Sequence, residues 1–169
     1  SANAALVTNG AFAVARNITV QAGSSGTATI GGSTAHSSSF TGNVVLNKNV
    51  ILTAVSGGTA TFSTGVISGS YALTKTDVGT VVLSGTNTYT GVTTISAGTL
   101  VVGSAAPSGA AGALGNASSA VLLGDTSGSA NAALVTNGAF AVARNITVQA
   151  GSSGTATIGG STAHSSSFT

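Results

Sequence analysis

The chain contains no Cys, Met or Trp and one proline, Pro107. Without Cys, neither a disulfide framework nor a thiolate metal site is available. Charge is almost as scarce. Lys and Arg number 4 and Asp and Glu 2 in 169 residues: Arg16, Lys48, Lys75, Arg144, Asp77 and Asp125. Two carboxylates and two histidines are a poor inventory for acid–base chemistry, so no enzyme activity is expected. A net charge of +2 lacks the clustered Lys and Arg of a phosphate-binding surface, and no nucleic-acid partner is expected. Long apolar runs are missing too. No window approaches the ~18 consecutive apolar residues of a spanning helix. Two Tyr and five Phe are too few for the aromatic girdles of a membrane barrel. Membrane insertion of this segment is not expected. There is no initiator Met and no charged-then-apolar signal segment, so the sequence does not display its own targeting. Glycine has no three-residue period, which excludes collagen.

What is present is repetition. Ser1 to Thr41 and Ser129 to Thr169 are identical at every position, with an offset of 128. Arg144 and His164 are second copies of Arg16 and His36. The chain therefore divides into one full repeat, 1–128, and the start of the next, 129–169, expected in one continuous fold. A finer repeat lies inside the unit. Phe12–Gly32 aligns with Val44–Thr64 at an offset of 32, with Gly26-Thr27-Ala28-Thr29 against Gly58-Thr59-Ala60-Thr61. Gly-Thr starts recur at Gly79-Thr80 and Gly98-Thr99, with a weaker echo at Ser118 to Leu122. A near-20-residue step with one longer excursion suggests β-solenoid coils, one of which carries a loop.

Val, Ile and Thr favour strands, because branched side chains pack well on a pleated surface. Apolar residues alternate at Phe12, Val14, Ile18 and Val20, and at Val44, Leu46, Val50 and Leu52. Arg16-Asn17 and Lys48-Asn49 interrupt these sets and read as corners, since Asn tolerates left-handed turns. Ser104 to Gly112, which holds the proline, reads as a loop. Unpaired charge is costly in a slim core. Arg16, Lys48, Lys75, Asp77 and Asp125 are therefore all expected at corners or outside. A string of immunoglobulin-like sandwiches is disfavoured by the short internal step and the lack of Trp.

Leu73 to Gly103 reads LTKTDVGTVVLSGTNTYTGVTTISAGTLVVG. It resembles the autotransporter-associated β-strand repeat, also called the passenger-associated transport repeat. The likeness rests on the Gly-Thr strand ending Leu83-Ser84-Gly85, on Asn87 to Gly91, on Thr93-Thr94-Ile95 and on Ala97 to Leu100. GALGN at Gly112 to Asn116 and ARNITV at Ala15 to Val20 look like segments of large bacterial proteins that carry this repeat. Asp77-Val78 departs from the small residues usual before the Gly-Thr strand. The resemblance implies an all-β, right-handed parallel β-helix in a secreted or surface-exposed bacterial chain. It carries over no catalytic residue.

Individual residues add no chemistry. His36 and His164 lie in Ser/Thr-rich loops without nearby carboxylates, so they read as surface histidines rather than ligands. Asp77 and Asp125 are 48 residues apart, roughly 10 Å along a stack of coils at about 4.8 Å each. That span suits an inverting pair of carboxylates, but both sit in turn-like contexts with no cationic or aromatic company. No Gly-Gly-x-Gly-x-Asp calcium nonapeptide occurs. The sequons at Asn17 and Asn116 are incidental in a bacterial chain. Thr-x-Thr pairs such as Thr27/Thr29 and Thr59/Thr61 are irregularly spaced, and outward strand Thr is the plainer reading.

Catalytic, cofactor and metal sites are thus expected to be absent. The expected role is a structural unit of a long secreted solenoid, an extracellular fibre or cell-surface stalk whose partners are identical repeats. The rival reading is an adhesin holding a receptor or glycan. At five or six coils per repeat, the axial period should be roughly 24–29 Å. The two copies should superpose by one screw operation. The parent chain should continue GNVVLNKNV after Thr169.

Overall fold

A computed structural model describes residues 2–169. The chain winds through seven coils, each with strands on up to three faces. Coil 1 holds β1 (Ala4–Thr8), β2 (Ala13–Val14) and β3 (Ile18–Val20); coil 2 holds β4 (Ala28–Gly32), β5 (Ser37–Phe40) and β6 (Val44–Leu46). Coil 3 holds β7 (Val50–Ala54), β8 (Thr59–Phe62) and β9 (Ile67–Gly69); coil 4 holds β10 (Leu73–Thr76) and β11 (Thr80–Leu83). Coil 5 holds β12 (Thr93–Ile95) and β13 (Gly98–Val102). Coil 6 holds β14 (Val121–Leu123), β15 (Ala132–Thr136) and β16 (Ala141–Val142); coil 7 holds β17 (Ile146–Val148), β18 (Ala156–Gly160) and β19 (Ser167–Phe168). No helix occurs among the described residues.

All strand pairs are parallel and join neighbouring coils. The first face is the sheet β1-β4-β7-β10-β12-β14-β17, and the second is β2-β5-β8-β11-β13-β15-β18. The third face is β3-β6-β9 below and β16-β19 above. Between them the backbone carries the pairing without regular strands. Thr88 and Thr90 donate N–H groups to the carbonyls of Ile67 and Gly69, both at 2.9 Å, and Asn116 donates to Tyr89 at 2.8 Å. The expected β-solenoid is therefore present.

Alternation puts one residue in two into the lumen. Val44, Leu46, Val50 and Leu52 are all buried, as the sequence pattern predicts. Phe40 stacks on Phe62, with ring centroids 4.7 Å apart, through consecutive strands of the second face. Arg16-Asn17 and Lys48-Asn49 lie between strands, at corners. Glycines occupy corners where coils approach closely. A Cβ on Gly42 would lie 2.2 Å from the Arg16 carbonyl oxygen, and one on Gly65 2.0 Å from that of Gly42. Only glycine fits that column.

Three expectations change. The coil is longer than 20 residues: first-face strands begin at Ala4, Ala28, Val50, Leu73, Thr93, Val121 and Ile146, steps of 20 to 28. The 32-residue offset is no coil with an excursion. It carries Val14 on the second face to Leu46 on the third, and Val20 on the third to Leu52 on the first. It is one coil and a third. The echo at Ser118 to Leu122 likewise leads into β14 on the first face, while β13 pairs with β15 on the second. Phe12 is 57% exposed, outside the lumen. It sits at a corner, where its ring covers Gly10.

The same displacement governs the 128-residue repeat. β1 is on the first face of coil 1, and its copy β15 is on the second face of coil 6. One repeat advances five coils and a third, or about 26 Å at 4.8 Å per coil, and turns by one face. Internal register is unchanged. Ala4 pairs with Ala28 and Ala132 with Ala156; Val14 pairs with Phe40 and Val142 with Phe168.

Candidate functional site

The polar side chains fall into two structural groups, corner ladders and lumen plugs. At corners, Asn side chains tie each coil to the next. Asn17 Oδ1 accepts the Asn43 N–H at 2.9 Å, and Asn43 Oδ1 accepts the Val66 N–H at 2.9 Å. Asn3, Asn49 and Asn131 do the same for Thr27, Ala72 and Thr155. Each bond satisfies a backbone donor that strand pairing leaves open where the chain turns. Lys48 caps a corner from its coil: its Nζ donates to the carbonyls of Ser24, at 2.7 Å, and Gly26.

Lys75 corrects the expectation that charge stays outside. It is 1% exposed and lies in the first-face lumen column between Leu52 below and Ile95 above. Its chain parity follows buried Leu73, so the strand directs it inward. The ammonium is not left unpaired. Nζ reaches back to the corner and donates to the carbonyls of Thr76 (2.5 Å), Asp77 (2.6 Å) and Ala97 (3.1 Å). The stem fills the lumen while the head plugs the turn. Burial lowers its pKa to about 8, and the nearby Asp77 charge opposes that fall. Asp77 is exposed and holds the left-handed conformation with φ 60°. Its Oδ2 pairs with the Thr53 hydroxyl one coil below.

The second plug lies under the long corner of coil 5. The stretch 103–120 contains the expected loop, and buries Ala106, Ala113, Leu114 and Ala117. Asn87 is buried beside it. Its Oδ1 accepts the Ile67 N–H and its Nδ2 donates to the Ala113 carbonyl, both at 2.9 Å. Tyr89 is fully buried, with its hydroxyl 2.8 Å from Thr93 Oγ1. Burial raises the Tyr89 pKa to about 12, opposed by the Thr93 hydrogen bond and the Arg144 charge. Arg144 closes the loop from coil 6. It donates from Nη1 to the Leu114 carbonyl at 2.9 Å and from Nη2 to that of Ser119 at 2.6 Å. Burial lowers its pKa, and Tyr89 opposes that shift.

The remaining residues stay apart. Asp77 and Asp125 share the corner between the first and second faces, two coils apart. Asp125 Oδ1 accepts the Thr126 N–H at 2.8 Å, a turn contact. His36 and His164 are both exposed, on different corners. Among the described residues no group of three or more His, Cys, Asp or Glu gathers as a metal site. The hydroxyls are more regular than their spacing suggests: Ser37, Thr59, Thr80 and Thr99 form one outward column on the second face. Outside the ends of the stack, the arrangement can brace coils and hold turns.

Residues 73–102, which run from β10 to the end of β13, match the family model of the passenger-associated-transport-repeat. The matched stretch contains Lys75, Asp77, Asn87 and Tyr89. The chain thus carries this repeat within a β-solenoid. No curated protein and no solved structure matches the chain.

Proposed function

We propose that this chain is a non-enzymatic structural segment of a long β-solenoid displayed outside a bacterial cell, as a fibre or stalk. The observation that carries the reading is the duplicated segment. Residues 129–169 pair internally in the register of residues 1–41 and join the coil below without a linker, β15 on β13 and β17 on β14. Identical units joined this way extend a rod of constant section. The transport-repeat match at 73–102 supports a passenger region of an autotransporter, hence the external location. The exposed aromatic residues favour support over adhesion. Tyr71 and Phe12 lie on different corners of different coils and form no patch.

Antibodies raised against the folded chain test the reading on intact cells that express the parent protein. Labelling of a uniform external filament, with an axial repeat of about 26 Å per 128 residues, is the expected result. Signal seen only after lysis overturns it.

A further inference from the structure

Most of the hydrogen-bonded asparagines are held twice. Asn3, Asn17, Asn43, Asn49, Asn87 and Asn131 each accept a backbone N–H of a neighbouring coil on Oδ1, at 2.8 to 3.0 Å. The N–H of the residue after each is bonded as well, as Val44 is to the Val66 carbonyl at 2.9 Å and Ala132 to that of Thr155 at 3.0 Å. Asn137 is built differently. It is exposed in the corner between β15 and β16, with a coil on either side. Its own N–H donates to the Val102 carbonyl below at 3.3 Å, and Thr136 and Phe140 accept from Ser161 and Ser167 above, at 2.7 and 3.2 Å. Yet among the described residues no hydrogen bond holds its side chain, and none holds the N–H of Gly138 after it. Asn9-Gly10 repeats the arrangement in coil 1.

Packing fixes the glycine in both pairs. A Cβ on Gly138 would lie 2.6 Å from Phe140 Cε2, and one on Gly10 2.9 Å from Phe12 Cε2. The aromatic ring of each corner thus keeps the position free of a side chain, and nothing on the glycine shields its nitrogen. The asparagine ahead of it is under no such demand, since its carboxamide braces no coil. These are the only two Asn-Gly pairs in the sequence. Each sets an unbonded carboxamide, open to water, one bond away from an unbonded and unhindered amide nitrogen.

We infer that Asn137 and its copy Asn9 are sites of self-modification, at which the folded chain deamidates without an enzyme. The Gly138 nitrogen attacks Asn137 Cγ and closes a five-membered succinimide. The Cγ–Nδ2 bond breaks, and ammonia leaves with the proton from the glycine N–H. Water then opens the ring at either carbonyl and leaves aspartate or isoaspartate, with one carboxylate in place of the amide. Isoaspartate lengthens the backbone by one methylene. That insertion falls in a corner, outside β15 and β16, so strand pairing survives it. Two such events take the formal net charge of the chain from +2 to 0, where proteins associate most readily. Age is thereby written into the solenoid as charge, and an older chain is the more adhesive one toward its own kind. The inference rests on these two corners and not on the external-fibre reading, which the cell-labelling experiment decides separately.

Incubation of the folded chain in mildly alkaline buffer at physiological temperature tests this, with samples taken over days to weeks. Isoelectric focusing should resolve the starting species and then two more acidic ones, for one and two new carboxylates. Peptide mass spectrometry should place the gain of an acid for an amide at Asn137 and Asn9, as a mixture of aspartate and isoaspartate. A doubly held asparagine must first break two hydrogen bonds, so each of the six should react slower by about tenfold or more. Reaction at any of those six as fast as at Asn137 overturns the inference. So does an Asn137 that keeps its amide in the folded chain while the same chain deamidates there in denaturant. Asn9→Gln with Asn137→Gln supplies the chemical control. Its longer side chain would have to close a six-membered ring, and neither position holds a bond that the fold needs. The double variant should stay one species on focusing, with unchanged circular dichroism. The same acidic ladder from this variant also overturns the inference.

Discussion

Arg16 and Arg144 occupy the same position in two identical segments, yet Arg144 is 2% exposed and Arg16 lies open at a corner. The cause is the coil beneath. Arg144 has the 103–120 corner below it and spans the Leu114 and Ser119 carbonyls. No such corner lies below Arg16 among the described residues. The residues that cover Arg144 precede it by 25 and 30 positions, and no counterpart of them lies among the described residues before Arg16.

This asymmetry makes a paired mutation informative. Hydrogen bonds from a charged donor contribute about 1.5–3 kcal/mol. Arg144→Ala should lower unfolding stability by about 2–3 kcal/mol, because it also leaves two loop carbonyls without their donor. Arg16→Ala should change it by less than about 0.5 kcal/mol, as surface substitutions do. Denaturant titration of the two variants is the check, and equal effects would contradict the placement of the arginines.

Asn87 and Asn17 make the same kind of bond to a backbone N–H, one inside and one outside. Asn87→Ala strands the Ile67 N–H and the Ala113 carbonyl away from water and should cost about 2–4 kcal/mol. Asn17→Ala leaves an exposed N–H that water can satisfy, so its cost should stay under about 1 kcal/mol. Hydrogen exchange at Ile67 should accelerate in the first variant if the Asn87 contact is what protects that amide.

The solenoid was legible in the residues because its signals are local. Val44, Leu46, Val50 and Leu52 alternate, and Gly58-Thr59, Gly79-Thr80 and Gly98-Thr99 do begin strands stacked on one another. Coil length was less legible. All three faces use the same short vocabulary of Val, Ile, Thr and Gly, so an alignment cannot tell one coil from a coil and a third. Lys75 was misplaced by giving charge precedence over parity. Leu73-Thr74-Lys75-Thr76 alternates, and parity alone sets Lys75 inside with Leu73. What the residues do not reveal is that three carbonyls from two coils converge on its ammonium. No local pattern distinguishes Arg144 from Arg16, since the two are identical from 15 residues before to 25 after, and the partners of Arg144 lie farther upstream, at Leu114 and Ser119.

Two left-handed glycines separate conformational strain from steric exclusion. Gly98 has φ +69°, and a Cβ there would lie 2.3 Å from the Asp77 carbonyl oxygen and 2.8 Å from Lys75 Nζ. Gly109 has φ +67° with nothing within 4 Å. Gly109→Ala should cost about 1–2 kcal/mol, the strain of a left-handed side chain. Gly98→Ala adds a clash that pushes on the Lys75 plug, and its total should reach about 3 kcal/mol or more. Thermal unfolding of the two variants distinguishes the contributions, and matching losses would show that the Lys75 corner yields freely.

Two of the buried groups with shifted pKa values, Lys75 and Tyr89, should shape stability above neutral pH in opposite directions. Lys75 has a folded value lowered to about 8 from 10.5, because burial disfavours its charged form. Below pH 8 the folded state must hold a buried ammonium. Between pH 8 and 10.5 the unfolded chain binds more protons than the folded one, so stability rises with pH. At about 1.4 kcal/mol per pH unit, the ceiling on this gain is about 3 kcal/mol. Tyr89 has a folded value raised to about 12 from 10.0, because burial favours its neutral form. Its contribution is complete below pH 10 and is lost as pH climbs from 10 toward 12. Together they predict a stability that increases from pH 8, peaks near pH 10 and then falls. Lys75→Met removes the buried charge and should flatten the rise, with higher stability than wild type expected at pH 7 only if the stranded carbonyls find water. Tyr89→Phe should abolish Tyr89's part of the decline above pH 10. Guanidinium midpoints measured from pH 7 to 11 on the three proteins test both signs, and a wild-type midpoint that falls steadily from pH 8 would show that Lys75 is bound more favourably as the ammonium than burial allows.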